Sequence, residues 1–253
     1  MPKKKFNKHK RIYFVAVGDN HGDMVDKEVA EEFFKFCKWY KPDVKIHLGD
    51  CFDFRSIRKN AGHAERNESL EDDVKWGKWF IQNYKPTVFH FGNHEDRLDQ
   101  IINTTTNALE RDACYALKQD IINCLKKNGC KHIYEYHAEE GVHTLGKVRT
   151  CHGYTCGKNA VEEHAIHFGL EEGAVIMGHV HIIMQTNARR YKGTVGFSGG
   201  CLCSKRAMTY AKTRLATSKW GSGWVYGWVE GNKWKVFQAH KVGKNFIYPY
   251  GRN

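Results

Sequence analysis

Four apolar segments of this chain each stop at a short polar motif. The segments are residues 12–17, 44–48, 87–91 and 174–177. The polar motifs after them, with one more after residue 151, are Asp19-Asn20-His21, Gly49-Asp50, Gly92-Asn93-His94-Glu95, His152-Gly153 and Gly178-His179-Val180-His181. Short apolar runs that end at glycine are typical of buried β-strands. In an α/β sheet, ligands lie just beyond the carboxyl ends of the strands, so the pattern predicts that these polar side chains meet at one place.

The first half of the chain alternates strand and helix patterns. Amphipathic helices are predicted over residues 25–40 and 68–84, and another over residues 108–127, and this alternation predicts βαβ units and a largely parallel sheet. The second half has short strands and one helix, at residues 159–168. We predict an α/β fold, with two mixed sheets packed face to face and helices outside. It forms a single domain over residues 12–253, after a basic, flexible amino terminus at residues 1–11.

Residues 221–237 are predicted to form a β-hairpin. Trp224, Tyr226 and Trp228 share one face at period two. Aromatic side chains interleaved with lysine can stack on nucleic acid bases. Packing of the aromatic residues inside the sheets is the interpretation that we favour.

The chain has a formal net charge of +12, which favours an anionic partner such as a phosphate ester or a nucleic acid. The cationic residues cluster at 3–11, 55–66, 189–192 and 205–206. No apolar run approaches the length of a membrane span, and no signal-peptide stretch follows the basic start. We therefore expect a protein without a membrane partner that stays in the cytoplasm, or in the host cytoplasm if a phage encodes it. The oligomeric state is left open.

The nine cysteines are odd in number and form no C-x-x-C pair, as expected for a reducing compartment. Cys201 and Cys203 form a C-x-C pair, but they lack the second pair that a zinc ribbon needs. We expect all nine cysteines to be structural.

The polar motifs offer donors for two divalent metal ions. Asp19 and Asp50 supply carboxylates, and Asp50, with two oxygens, is the natural bridge between the ions. The neutral donors are Asn93, His21, His152, His179 and His181. Two dications, two carboxylates and one hydroxide leave the site positively charged, as a phosphate substrate requires. Imidazole and carboxylate donors suit Mn, Fe, Zn or Ni, among which we favour Mn.

His94 follows a predicted ligand at the start of a helix, from where it can protonate the leaving oxygen of a substrate. Asp53 is predicted to hold the imidazole in the right tautomer and to raise its pKa. Glu95 and Asp96, in the first turn of that helix, are expected to interact favourably with the helix dipole.

The five motifs together resemble the calcineurin-like metallophosphoesterase superfamily over about residues 12–187. The resemblance implies a four-layer α/β sandwich. It implies that one ion is held by Asp19, His21, Asp50 and His181, and the other by Asp50, Asn93, His152 and His179. It also implies in-line attack on phosphorus by a metal-bridging hydroxide, with His94 as the general acid.

The motif after the second strand departs from that of the protein phosphatases in this superfamily. Phe54 stands where those enzymes have a phosphate-binding arginine, and Arg55 comes one position later. The chain is closer to small stand-alone phosphoesterases of phages and bacteria. We predict hydrolysis of phosphate mono- or diesters, with an exonuclease-like nuclease as the alternative. A Ser/Thr protein phosphatase and a non-catalytic binding scaffold rank lower.

Other histidines and arginines carry weaker expectations. Arg55, Arg58 and Arg97 are candidate phosphate contacts, of which only Arg55 has position in its favour, and His63 is a candidate for the substrate cleft. His47 and His90 lie inside predicted strands and are expected to be hydrogen-bonded core residues, whereas His164 and His167 are expected to have no partner.

Overall fold

The structure is a computed structural model that describes residues 10–188, 193–208 and 215–248. Most of the predicted amino-terminal segment and the basic cluster at 189–192 lie outside the described residues. The helices are α1 (Lys27–Tyr40), α2 (His63–Arg66), α3 (Leu70–Tyr84), α4 (Asp96–Thr104), α5 (Ala108–Lys127) and α6 (Ala160–Phe168). The strands are β1 (Ile12–Val17), β2 (Val44–His47), β3 (Val88–His90), β4 (His132–Tyr134), β5 (His143–Leu145), β6 (Val148–Cys151), β7 (Ala174–Met177), β8 (Ile183–Asn187), β9 (Val195–Gly199), β10 (Gly223–Glu230), β11 (Lys233–Val242) and β12 (Asn245–Ile247).

The first sheet has the strand order β12-β11-β10-β1-β2-β3-β4. The strands β1 to β4 are parallel, because helices connect β1 to β2 and β2 to β3. The predicted hairpin forms from β10 and β11, and β10 pairs antiparallel with β1. The carboxyl ends of β1, β2 and β3 therefore meet at one edge of this sheet.

The second sheet has the order β5-β6-β7-β9-β8. Its central strands β6, β7 and β9 are parallel, and β5 and β8 pair antiparallel at the two edges. The strand β9 is missed by the sequence prediction because Gly196 and Gly199 weaken its strand pattern. The carboxyl ends of β6 and β7 carry the His152 and His179–His181 motifs.

Alternating side chains of β1 build two separate cores. Phe14 and Ala16 are buried between the sheets, with Ile176 and Phe197 of the second sheet. The opposite face of β1 packs against α1 and α3 through Val15 and other apolar residues. On the outer face of the second sheet, apolar residues of α6 cover β7. The two mixed sheets thus lie face to face between helical layers, which confirms the predicted fold class.

Of the three aromatic residues that share one face of β10, Trp224 and Tyr226 lie in the protein interior and Trp228 is partly buried. Trp224 and Tyr226 are fully buried against α1, where both rings contact Phe36. The expectation that these rings pack inside the protein is confirmed, and base stacking by them is excluded by their burial. Within the described part of the chain, no helix is both long and apolar enough to cross a membrane.

Candidate metal centre

The predicted ligands sit in unusual backbone turns just after the strands. Asp19, His21, Asp50, His179 and His181 all have φ between 52° and 68°, a region that non-glycine residues adopt rarely and at a cost of about 1–3 kcal/mol each. They account for five of the nine non-glycine residues with positive φ in the described ranges. Such strain clusters at functional sites because the surrounding structure must hold each side chain in place.

Backbone hydrogen bonds join these turns to one another. The amide of Asp19 donates to the carbonyl of Gly49 at 3.0 Å, and the amide of His21 donates to that of Asp50 at 3.0 Å. In the second sheet, the amide of Gly178 donates to the carbonyl of His152 at 2.8 Å. Within each sheet, the turns that carry the predicted ligands are therefore joined by backbone hydrogen bonds.

Asp50 lies at the middle of the cluster and is buried. Its Oδ1 accepts a hydrogen bond from the amide of His94 at 3.0 Å. Its Oδ2 is 3.3 Å from Nε2 of His152, 3.8 Å from Nε2 of His94 and 3.9 Å from Nε2 of His21. One carboxylate thus faces imidazoles from both sheets, the arrangement expected of a bridging ligand.

Asp19, His21 and His181 meet on one side of Asp50. His181 Nε2 is 3.1 Å from Asp19 Oδ1 and 3.2 Å from His21 Nε2. The amide of His179 donates to both carboxylate oxygens of Asp19, at 3.0 and 3.1 Å. Asp19 therefore orders the second-sheet loop that carries the two histidines.

His152, Asn93 and His179 lie on the other side. His152 Nδ1 donates to the carbonyl of Leu48 at 2.8 Å, which leaves Nε2 as the donor for a cation. This Nε2 faces two oxygen acceptors, Asn93 Oδ1 at 3.0 Å and Asp50 Oδ2 at 3.3 Å. A proton on Nε2 can satisfy these two oxygens, and a metal ion bound by Nε2, Asn93 Oδ1 and Asp50 Oδ2 would take its place, so the donor set fits a metal ion. Donor atoms of Asp50, His152 and His179 lie within 4.8 Å of one another.

The pKa values of the cluster show how strongly it favours positive charge. Burial raises the pKa of Asp50, but the His152 and His94 imidazoles outweigh it and hold the pKa well below its ordinary value. Burial lowers the pKa of His152, while the Asp50 carboxylate brings it up to about 9. Protons on these groups compensate the carboxylates, and bound cations would take over that role and release the protons.

His94 is held by Asp53, as the sequence predicts for that pair. Its Nδ1 donates to Asp53 Oδ1 at 2.8 Å, and its Nε2 points back towards the cluster. Burial lowers the pKa of His94, but the Asp50 and Asp53 carboxylates outweigh it and leave the pKa raised. Arg97 also reaches this pair, with Nη1 donating to the Asp53 carbonyl at 2.6 Å and Nη2 lying 3.3 Å from His94 Nε2.

Two of the candidate substrate contacts, Arg55 and His63, are placed differently from the metal-ligand set. The Arg55 guanidinium makes a bidentate ion pair with Asp23 at 2.7 Å and a second ion pair with Glu68, so each of its three nitrogens already has a carboxylate partner. His63 is exposed at the start of α2, and its ring contacts Asn67. Contacts among the described residues do not bring His63 into the cluster, and its substrate role stays a prediction.

Two buried carboxylates have roles that the sequence analysis missed. Glu95 accepts hydrogen bonds from the amides of Asp50 at 3.0 Å, Phe52 at 2.9 Å and Gly92 at 2.7 Å, rather than merely favouring the helix dipole. Asp73 accepts from the amide of Asp53 at 2.9 Å. Asp73 stands on the buried face of α3 with Gly77 and Phe80, and an acidic residue at that helical spacing is a signal that could have revealed it.

Three of the remaining histidines have hydrogen-bond partners in the structure. His47 and His90 are buried and hydrogen-bonded, for example His47 Nε2 to Asn20 Oδ1 at 2.8 Å, so the expectation of core residues is confirmed. For His164 the expectation is wrong: its Nδ1 donates to the Ala160 carbonyl, and its Nε2 accepts from the amide of Tyr154 at 2.8 Å. The turn of α6 and the chain after His152 meet only in the folded protein, which is why the sequence did not show it.

No protein-family model matches the chain, and no curated protein matches it. Similar solved structures include PhoD, which is 11% identical with a TM-score of 0.50, over 98% of this chain and 70% of that chain. Vacuolar protein sorting 29 from Cryptosporidium parvum is 10% identical with a TM-score of 0.49, over 96% and 99% of the two chains. A metallophosphoesterase from Sphaerobacter thermophilus is 13% identical with a TM-score of 0.45, over 96% and 90%. The chain has the calcineurin-like metallophosphoesterase fold.

Proposed function

From this fold and the buried cluster at its strand ends, we propose that the chain is a phosphoesterase that uses two divalent metal ions. The observation that carries the proposal is the position of Asp50, whose carboxylate faces imidazoles from both sheets within 3.9 Å. The substrate class is phosphate mono- or diesters.

The contacts support a division of the ligands between two ions. We assign one ion to Asp19, His21, Asp50 and His181, and the other to Asp50, Asn93, His152 and His179. When bound, such a pair of ions lowers the pKa of water, so that water can attack phosphorus, and neutralises charge on the phosphate. The strained turns and their backbone hydrogen bonds hold the donors ready for both ions.

His94 is assigned as the general acid. Asp53 fixes Nδ1, and Nε2 is 3.8 Å from Asp50 Oδ2, on the side where the substrate would lie against the cluster. The Asp50 and Asp53 carboxylates raise the pKa of His94 and so favour the protonated imidazole, and His94 Nε2 would give that proton to the leaving oxygen. Asp53 acts through His94 and is a positioning residue.

A nuclease is the second candidate, because the net charge of +12 favours a polyanion. The same ligands and the same acid would serve both reactions. Hydrolysis of a phosphodiester in DNA or RNA would differ from that of a small ester only in the contacts that the surface around the site must make with the nucleic acid.

The test is an assay of the purified chain in Mn²⁺ and in Zn²⁺. Substrates are a nitrophenyl phosphate monoester, the matching diester, a phosphopeptide, and single- and double-stranded DNA. We expect hydrolysis of at least one ester, its loss in EDTA and its recovery on adding metal. Hydrolysis of DNA with steep loss of affinity at higher salt would favour the nuclease.

His94→Ala is expected to keep both metals and to lose about 10²–10⁴-fold in turnover. The matched control is His167→Ala, which removes an exposed histidine of α6 and is expected to keep wild-type rates. A protein that binds two metals but hydrolyses none of these esters would refute the proposed activity, and full activity of His94→Ala would refute the assignment of the acid.

A further inference from the structure

Arg97, the second residue of α4, lies against the side chain assigned as the general acid. Its Nη2 is 3.3 Å from His94 Nε2, the nitrogen that would release the proton. Its Nη1 donates to the Asp53 carbonyl at 2.6 Å. One nitrogen thus fixes the guanidinium to the turn of Asp53, and another is placed at the reacting end of His94.

The positive charge of Arg97 is not neutralised at close range. Among the described residues its only ion pair is with Asp53 Oδ1, at 3.5 Å, and that oxygen already accepts from His94 at 2.8 Å. The side chains of Arg97 and His94 are 13% and 12% exposed, whereas those of Asp50 and Asp53 are each 2% exposed. A guanidinium that is in reach of solvent and has no close carboxylate can form strong, charge-assisted hydrogen bonds with an arriving phosphate.

The other arginines that the sequence offers for the phosphate are engaged elsewhere. Each nitrogen of Arg55 has a carboxylate partner, and Arg58 pairs with a carboxylate of α2. Phe54 stands at the position of the arginine in the protein phosphatases, and it is fully buried with its ring stacked on Phe52. Sequence position favours Arg55, whereas the structure places Arg97 at the acid.

We propose that Arg97 binds the phosphate group of the substrate, with Nη1 held by the Asp53 carbonyl and Nη2 donating to a phosphate oxygen. The inference rests on the proposed function and adds a binding residue to the same site. A general acid lies about 2.6–3.2 Å from the oxygen that it protonates, so a leaving oxygen at His94 Nε2 brings the other oxygens of its phosphate next to Nη2.

The hydrogen-bonding capacity of the two side chains agrees with this placement. A guanidinium can only donate hydrogen bonds. His94 Nε2 is also a donor at the moment when it protonates the leaving oxygen, so Arg97 Nη2 cannot then bond to it. Both groups need acceptors in that state, and the oxygens of one phosphate group supply them.

The experiment titrates inorganic phosphate into the metal-loaded full chain by calorimetry and measures the hydrolysis of nitrophenyl esters by the same variants. Arg97→Gln is expected to retain its metals and to bind phosphate about tenfold more weakly or worse, because a hydrogen bond to a charged group is lost. Its kcat/KM is expected to fall by about 10²–10³-fold, as for the loss of one donor to developing negative charge.

Arg55→Gln is the matched control. Arg55 also lies beside Asp53, with Nη1 3.8 Å from Oδ2, but within the described part of the chain it makes no hydrogen bond to His94. Since its nitrogens already have carboxylate partners, Arg55→Gln is expected to bind phosphate within about twofold of the wild type. Phosphate affinity of Arg97→Gln within that same range, or no phosphate binding by the wild type, would overturn the inference.

A second variant pair separates contact with the phosphate from an effect through His94. In a His94→Ala background, Arg97→Gln is expected to lower the rate by about tenfold or more, because the contact with phosphate does not need the imidazole. Equal rates of the double variant and His94→Ala would show that Arg97 acts only through His94, and would overturn the inference.

If Arg97→Gln does not fold, Arg97→Lys replaces it in the phosphate titration. Lysine keeps the charge but lacks the fork that holds the Asp53 carbonyl and the phosphate together, so weaker phosphate binding is expected and unchanged binding overturns the inference. Phosphate binding does not depend on turnover. Weakened binding in the variant with no ester hydrolysis by the wild type would keep the contact and reject the proposed function, whereas hydrolysis with unchanged phosphate affinity would reject the contact alone.

Discussion

Gly92 is the position at which the smallest change should most disturb the metal centre. It follows β3 and directly precedes Asn93. A Cβ added there would lie 2.1 Å from Asp50 Oδ1, 2.6 Å from the Asp50 amide nitrogen and 2.8 Å from His152 Cε1. Gly92 is not among the glycines with positive φ, so alanine suits the backbone and only the lack of space opposes Gly92→Ala.

The size of the effect follows from that overlap. Carbon atoms in contact lie about 3.5–4.0 Å apart, so Asp50 or the turn of Gly92 must move by roughly 1 Å. Overpacking of this kind costs about 1–3 kcal/mol, which for a chain of this size lowers Tm by about 2–12 °C. A displacement of about 1 Å at a reacting site costs about 10²-fold in rate.

Three measurements on Gly92→Ala test this reasoning. Thermal unfolding in EDTA gives the loss of stability without metal. Metal analysis after dialysis gives the number of ions retained, which we expect to fall because Asp50 and Asn93 shift apart. The value of kcat/KM for a nitrophenyl ester in saturating metal is expected to fall by about 10²-fold.

Gly62→Ala is the matched control. A Cβ at Gly62 meets nothing within 4 Å. Because Gly62 is the N-cap of α2, where alanine is less favourable than glycine, and alanine makes the unfolded chain less flexible, the two effects oppose each other and stability is expected to change by less than about 1 kcal/mol. If Gly92→Ala kept wild-type Tm, metal content and kcat/KM, the close contact of the Gly92 turn with Asp50 would be wrong, and with it the geometry of the centre.

Three further predictions concern charge. Asp53→Asn removes a carboxylate that raises the pKa of His94, so the alkaline limb of the pH profile of kcat should move to lower pH. Burial lowers the pKa of His90 to about 3. Its contribution to stability is therefore present above pH 6.5 and lost as the pH falls, by about 1.4 kcal/mol per pH unit between about 6.5 and 3. Urea unfolding in EDTA should show that the free energy of unfolding of His90→Gln depends less steeply on pH than that of the wild type in this range, by the uptake of one proton on unfolding. Arg55→Gln should lower stability by up to about 1 kcal/mol, because the partly exposed carboxylates of Asp23 and Glu68 lose their partner, while KM changes by less than about twofold; a rise of KM beyond tenfold would restore Arg55 as a substrate contact.

The local sequence pattern was sufficient to predict those helices and strands whose formation has a local physical cause. The strands Ile12–Val17 and Ala174–Met177 and the helix Ala108–Lys127 match their predicted bounds, because apolar runs and helical periodicity identify them. Elements with weak local signals were missed, among them the three-residue β4 and the glycine-containing β9. The pairing of β10 with β1 joins residues more than two hundred positions apart, and no local pattern predicts such a contact.

The sequence by itself determined which donors this protein offers and that they follow strand ends, since parallel strands present their carboxyl ends at one edge of a sheet. Only the tertiary structure decided what surrounds those donors. Loops from distant stretches of the chain bring three amides to the Glu95 carboxylate. They also place Asp23 and Glu68 against Arg55, and bring the Cys203 sulfur close to His181. Hydrogen bonds and charges act over a few ångströms, so their partners are settled only when the chain has folded.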